Sequence, residues 1–138
     1  MRVFAADIEI SGTPEAVWAA LTDAAAYPEW DPNMKSIEGK IGLGEKLVLH
    51  TNITKQAFKV TVSELETDRR MVWKSGMPLG IFKGARTFEI LPQGDGKVRV
   101  KVHEVFSGLL SPVIGRMIPD LQPSFEKFVR GLKRRVEE

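Results

Sequence analysis

The chain has 138 residues, 43% of them hydrophobic and 28% charged, which is the composition of a globular domain and excludes a disordered chain. With 20 basic residues against 18 acidic ones, the formal net charge is only +2, too balanced for a dedicated nucleic-acid binder. The absence of cysteine excludes disulfide frameworks, thiolate zinc sites and thiol nucleophiles, and suits a cytoplasmic protein.

A chain of this length buries about 70% of its unfolded surface without staples. It shows no repeat or Gly/Ser linker, so residues 1–138 read as one domain. Met1 to Ile10 alternates, with Phe4, Ala6, Ile8 and Ile10 on one side and Asp7 and Glu9 on the other. That is a half-buried strand, too charged for a signal peptide. Thr13-Pro14-Glu15 then starts a helix, with threonine as N-cap, proline at the first helical position and glutamate near the positive end of the dipole. This helix is expected to stop near Thr22, and Asp23 to cap a second short helix running to Trp30 between Pro28 and Pro32.

From Met34 to Gly108 the pattern is one of strands and turns, with strands expected at Glu45–Asn52, Gln56–Glu66, Arg70–Ser75, Ile81–Leu91 and Lys97–Phe106. Phe58, Val60 and Val62 fall on one face of the second of these. Thr67-Asp68-Arg69 reads as a tight turn, and Gly94-Asp95-Gly96 between two alternating runs is a hairpin signal. The remainder is helical, an apolar stripe from Val113 to Val136 at three-to-four spacing. Pro119 and Pro123 demand a kink, or a break after which Asp120 caps a new segment. The stretch Ser107 to Ile118 is too short, and too broken by glycine and proline, for stable membrane insertion. Lys127, Arg130, Lys133, Arg134 and Arg135 read as the solvated face of the last helix.

Helices segregated from a run of antiparallel strands make the chain α+β. Its opening, Ile10 to Trp18, then Leu21-Thr22-Asp23 and Tyr27-Pro28-Glu29-Trp30, is similar to that of the SRPBCC (START-like, polyketide cyclase/dehydrase-like) superfamily. Arg70 to Trp73, Gly84 to Phe88, Glu104 to Pro112 and the terminal helix extend the resemblance over the whole chain. It implies a helix-grip fold, with a curved antiparallel sheet of about six to seven strands around a long C-terminal helix and two short helices after the first strand. It also implies a cavity between sheet and helix for a small hydrophobic molecule such as a lipid, quinone or polyketide. The superfamily contains carriers, cyclases and chaperone partners, so fold alone does not choose among them.

Strand alternation nominates the lining on its own, if the apolar face is the inner one. The candidates are Met71, Trp73 and Ser75, then Phe82, Arg86 and Phe88, then Val102, Glu104 and Phe106, with Met117, Leu121 and Phe125 from the helix. Val72 falls in the outward set. Arg86 and Glu104 lie opposite, or one pair out of register, counted back from the hairpin turn, and are expected to form a salt bridge. That pair is either a structural clamp or a polar contact for a ligand.

Arg86 and Val102 stand where some members of the superfamily carry histidines, so histidine chemistry is not implied. His50 and His103 fall on the outer register, at no metal-ligand spacing, and neither a metal nor another cofactor is expected. The leading reading is a carrier or sensor of a small hydrophobic molecule. A cyclase or aromatase-like enzyme and a protein-interaction module stand as alternatives.

Overall fold

Alternation at the N-terminus produces β1 (Arg2–Ser11), with Phe4 and Ile10 buried and Ala5, Asp7 and Glu9 exposed. The computed structural model describes residues 2–76, 78–109, 111–114 and 119–138. Thr13 caps α1 (Pro14–Thr22) as its residue type predicts, its Oγ1 accepting from the Ala16 N–H at 3.1 Å. Asp23 does not repeat that role. No side-chain bond caps the next helix, because a 3-10 turn over Ala24–Ala26 ties the Ala26 N–H to the Asp23 carbonyl instead. The turn leads straight into α2 (Tyr27–Trp30), with Pro28 in its first turn.

Six further strands follow: β2 (Met34–Glu38), β3 (Lys46–Thr51), β4 (Phe58–Glu66), β5 (Arg70–Gly76), β6 (Lys83–Gly94) and β7 (Lys97–Ser107). They join β1 in one antiparallel sheet of order β1-β7-β6-β5-β4-β3-β2, curled into a half-barrel. Asp95 and Gly96, both at positive φ, turn the β6–β7 hairpin, the backbone condition of a tight two-residue connection.

Two expectations about faces fail locally. Phe58 is 44% exposed at the start of β4, where the strand has only just begun. A register shift between Val62 and Glu64 then changes the strand's parity, so Val62 and Leu65 pair with Trp73 and Met71. Such a shift moves side chains to the opposite face. Val72, on the outward register, is only 2% exposed.

α3 (Ser111–Ile114) precedes α4 (Gln122–Glu137), which carries Pro123 in its first turn. Asp120 Oδ1 accepts from the Gln122 N–H at 3.1 Å, so a fresh start at this point replaces a kinked rod. No helix among the described residues is long and apolar enough to cross a membrane.

α4 buries Phe125, Phe128, Val129 and Leu132 against the sheet, each side chain contributing about 1.5–3 kcal/mol. At Gly131 its backbone also comes against α2, where an added Cβ would lie 2.0 Å from the Trp30 carbonyl oxygen. Alanine favours a helix interior over glycine by about 1 kcal/mol, yet here the clash dominates. Gly131→Ala should lower stability by about 3 kcal/mol in urea denaturation. A variant as stable as the wild type would show that α4 does not need this contact.

Candidate functional site

Register alone assembles the site. The pairings Val62↔Trp73, Trp73↔Arg86, Arg86↔Glu104 and Glu104↔Phe4 form one cross-strand row on the inner face. Met71, Phe88 and Val102 form the next row in one direction, and Ser75, Gly84 and Phe106 the next in the other. Nine of the twelve nominated residues belong to these strands or the loop just before β6, and eight of them occupy the three rows. The ninth, Phe82, stacks on Phe106 with ring centroids 5.7 Å apart.

Exposure is graded across the rows. Met71, Phe88 and Val102 are closed at 0–3%. In the middle row Trp73 is closed, while the Arg86 side chain is 25% accessible and that of Glu104 11%. At the Gly84 end Ser75 and Phe82 are half-buried. The accessible end of the inner face therefore lies towards Ser75, Phe82 and Phe106. From α4, Phe125 reaches the middle row, with the Arg86 Cζ 4.8 Å from its ring centroid. Leu121 is buried just before the helix. Met117 lies outside the described residues.

Arg86 and Glu104 are directly opposite, and the guanidinium donates from Nε at 2.9 Å and from Nη2 at 2.7 Å, both to Oε1. The pairing leaves Oε2 of the carboxylate and Nη1 of the guanidinium outside these two bonds. Facing Phe125, the cation gains a further attraction to the ring. The indole N–H groups of Trp73 and Trp30 are buried and have no protein hydrogen-bond partner among the described residues, a costly state for a donor.

Sequence reasoning missed the contribution of the Tyr27–Asn33 segment. Tyr27 is fully buried, its hydroxyl donates to the Leu21 carbonyl at 2.6 Å, and its ring lies 4.6 Å from Trp30 and 6.1 Å from Trp73. Burial, with the nearby Asp31 carboxylate, pushes its pKa well above the usual phenol value, against the opposing pull of Arg86. Asp31 is 4% exposed, and burial raises its pKa. The Asn33 backbone N–H, the Arg86 charge and the Asn33 side chain pull it back. Asn33 also donates from Nδ2 to the Ser124 carbonyl at 3.0 Å, tying this segment to α4. The Tyr-Pro-x-Trp motif was the available signal; its position behind Arg86 is a tertiary fact. His50 lies outside this cluster, its Nε2 2.6 Å from Glu38.

Two measurements follow from this arrangement. Arg86→Leu and Glu104→Leu should each cost about 3 kcal/mol by stranding a buried charge. The double variant should cost less than their sum, with a coupling of about 1–3 kcal/mol in a double-mutant cycle; additivity would mean that the pair holds nothing together. For Asp31, the folded protein binds the proton more tightly than the unfolded chain does. Stability therefore falls as pH rises from the ordinary carboxylate value through the raised one. Asp31→Asn should gain in urea midpoint over the wild type across that window, and a constant difference at every pH would refute the burial effect.

Comparison with known proteins agrees with the architecture. The family model described as "Polyketide cyclase / dehydrase and lipid transport" matches residues 1–137. No curated protein matches the sequence significantly. Among solved structures, a hypothetical protein from Helicobacter pylori is similar at TM-score 0.78 and 16% identity, over 96% of this chain and 86% of that one. A START superfamily protein from Mycobacterium smegmatis gives TM-score 0.76 and 22% identity, over 98% and 97%. The di-domain ARO/CYC protein BexL gives TM-score 0.74 and 14% identity, over 99% of this chain and 47% of that one. At these identities the likeness is one of fold, and it confirms the helix-grip arrangement.

Proposed function

The chain belongs to the polyketide cyclase / dehydrase and lipid transport family, and we propose that it binds a small hydrophobic molecule between the sheet and α4, as a carrier or sensor. The observation that carries this reading is the Arg86–Glu104 pair in the middle of a mostly apolar inner face. A clamp serving stability alone needs no solvent contact, yet the Arg86 side chain keeps 25% of its surface accessible. Apolar walls with a few placed polar groups are how small-molecule sites combine affinity with orientation. In this reading the walls at the accessible end are the stacked rings of Phe82 and Phe106, with Ser75 at the rim and Phe125 over the guanidinium.

The polar chemistry narrows the ligand. Glu104 already balances the charge of Arg86, so a neutral molecule suits the site better than a free anion. The remaining guanidinium hydrogens of the partly accessible Arg86 are donors, suited to a carbonyl or hydroxyl oxygen. An oxygen-bearing lipid, a quinone and a polyketide-like chain all meet that description.

Native mass spectrometry of the purified protein should reveal a retained apolar compound, and a neutral fluorescent probe such as N-phenyl-naphthylamine should bind saturably. Ser75→Phe, which narrows the accessible end, should weaken probe binding about tenfold with little change in melting temperature. His103→Ala, on the outer face, should leave binding unaltered. Non-saturable probe binding, or equal affinity in the Ser75 variant, would remove this reading.

A further inference from the structure

Two stretches of chain meet at the accessible end of the inner face, the connection from β5 to β6 and the segment leaving β7. Their backbones pack on each other. The Leu109 N–H donates to the Gly80 carbonyl at 3.1 Å, and a Cβ on Gly108 would lie 2.8 Å from the Ile81 carbonyl oxygen and from the Phe82 Cα. From this joined tip Leu79 and Leu109 stand 97% and 81% exposed, and Val113 of α3 is exposed as well. Leu79 also holds a left-handed backbone, at φ 61°, which glycine or asparagine would adopt more readily. At such exposures neither leucine contributes to the core.

Charge around the tip has one sign. Residues 1–6, 69–88 and 105–119 contain neither Asp nor Glu. Lys74 and Lys83 are exposed at this end, Lys83 standing between Gly76 and Ser107 in the register. Neither ammonium group has a hydrogen-bond or ion-pair partner among the described residues. Glu104, the nearest carboxylate of β7, is taken up by Arg86, and Asp120 accepts from the Gln122 N–H. Towards the other end of the sheet the signs are mixed and paired, Asp7 with Arg99 and Glu9 with Lys97. Uncompensated cations and exposed aliphatic side chains thus share the end through which the inner face is accessible.

We propose that this tip is a peripheral docking surface for a lipid bilayer that contains anionic headgroups. Charge complementarity is the first support, since unpaired lysines are drawn to anionic lipid while leucine and valine partition below the headgroups. Shape and composition are the second. Leu79, Leu109 and Val113 are presented by loops and a short helix, and a fluid bilayer accepts such groups without a pre-shaped pocket. A protein partner would have to supply that pocket, and protein hot spots favour Trp, Tyr and Arg over leucine and valine. Docking at this end lets an apolar ligand pass between bilayer and inner face without crossing water. What the docking serves rests on the ligand-binding reading; the docking itself is measurable with no ligand present.

Flotation of the full chain with vesicles tests this, using equal parts phosphatidylglycerol and phosphatidylcholine, or phosphatidylcholine alone. The wild type should float with the anionic vesicles, less with the neutral ones, and less as salt rises. Leu79→Ser/Leu109→Ser should lower the partition coefficient at least about tenfold, leaving the urea midpoint and N-phenyl-naphthylamine binding in solution unchanged. Lys74→Gln/Lys83→Gln should weaken flotation with the anionic vesicles. Lys97→Gln/Lys101→Gln, an equal change of charge towards the β6–β7 hairpin, should not. A wild type that floats with neither vesicle overturns the proposal even if the probe binds saturably, and so does undiminished flotation of the leucine variant. Absent flotation, dimers that the leucine variant disperses would give the patch to a second copy and overturn it too. Flotation without probe binding upholds the docking and removes the ligand reading.

Discussion

Everything in this molecule depends on one helix covering the concave face of a seven-stranded sheet. α4 offers only 16 residues, so its fit to the sheet has to be close. The fit is made by aromatic contacts at one level and by backbone at another. Phe125 meets Phe4, and Phe128 meets Tyr27, Trp30 and Phe88, all with centroids 5.2–6.5 Å apart. Gly131 lets the helix backbone come against the Trp30 carbonyl. Such edge and tilted ring contacts are favourable beyond the area they bury. They also make α2, only four residues long, the rest against which the helix is held.

The charge of Arg86 organises the polar interior in the same economical way. One guanidinium is hydrogen-bonded to Glu104 on β7, lies over Phe125 of α4, and acts electrostatically on Tyr27 and Asp31 behind it. In a poorly solvated interior those influences reach further than they do in water. The carboxylate of Asp31, disfavoured by burial, is made tolerable by Asn33 and by that distant positive charge. The site proposed for a ligand and the junction between α2 and α4 therefore share an electrostatic anchor.

The edges of the sheet show the same helix at work outside the core. Its polar side chains reach past its apolar stripe to the open backbone of β1, so the element that fills the concave face also closes one flank. The basic cluster near the C-terminus takes part in this. Lys133 serves the β1 edge, and Arg135 pairs with Glu29 of α2 at 2.9 Å. A run of charges that reads as solvated surface in the sequence is, in part, structural.

By itself the sequence determined the order of elements, the α+β class, the Thr13 cap, the Gly94–Gly96 turn and the inward set on β6 and β7. Each is written in local periodicity or in residues whose backbone preferences act over a few positions. Alternation put Arg86 and Glu104 on one face and within reach of each other, but counting from the turn alone leaves them one position out; a register shift between Pro92 and Gly94 brings them directly opposite. Tertiary structure alone decided the rest. The shift near Val62 altered the parity of β4, since an extra residue in a strand leaves no clear mark on hydropathy. Tyr27, Asp31 and Asn33 came to lie behind Arg86, and Gln122 came to lie on Ala5 across 117 positions of chain. No local pattern encodes such meetings; they exist only once α4 has docked in the sheet.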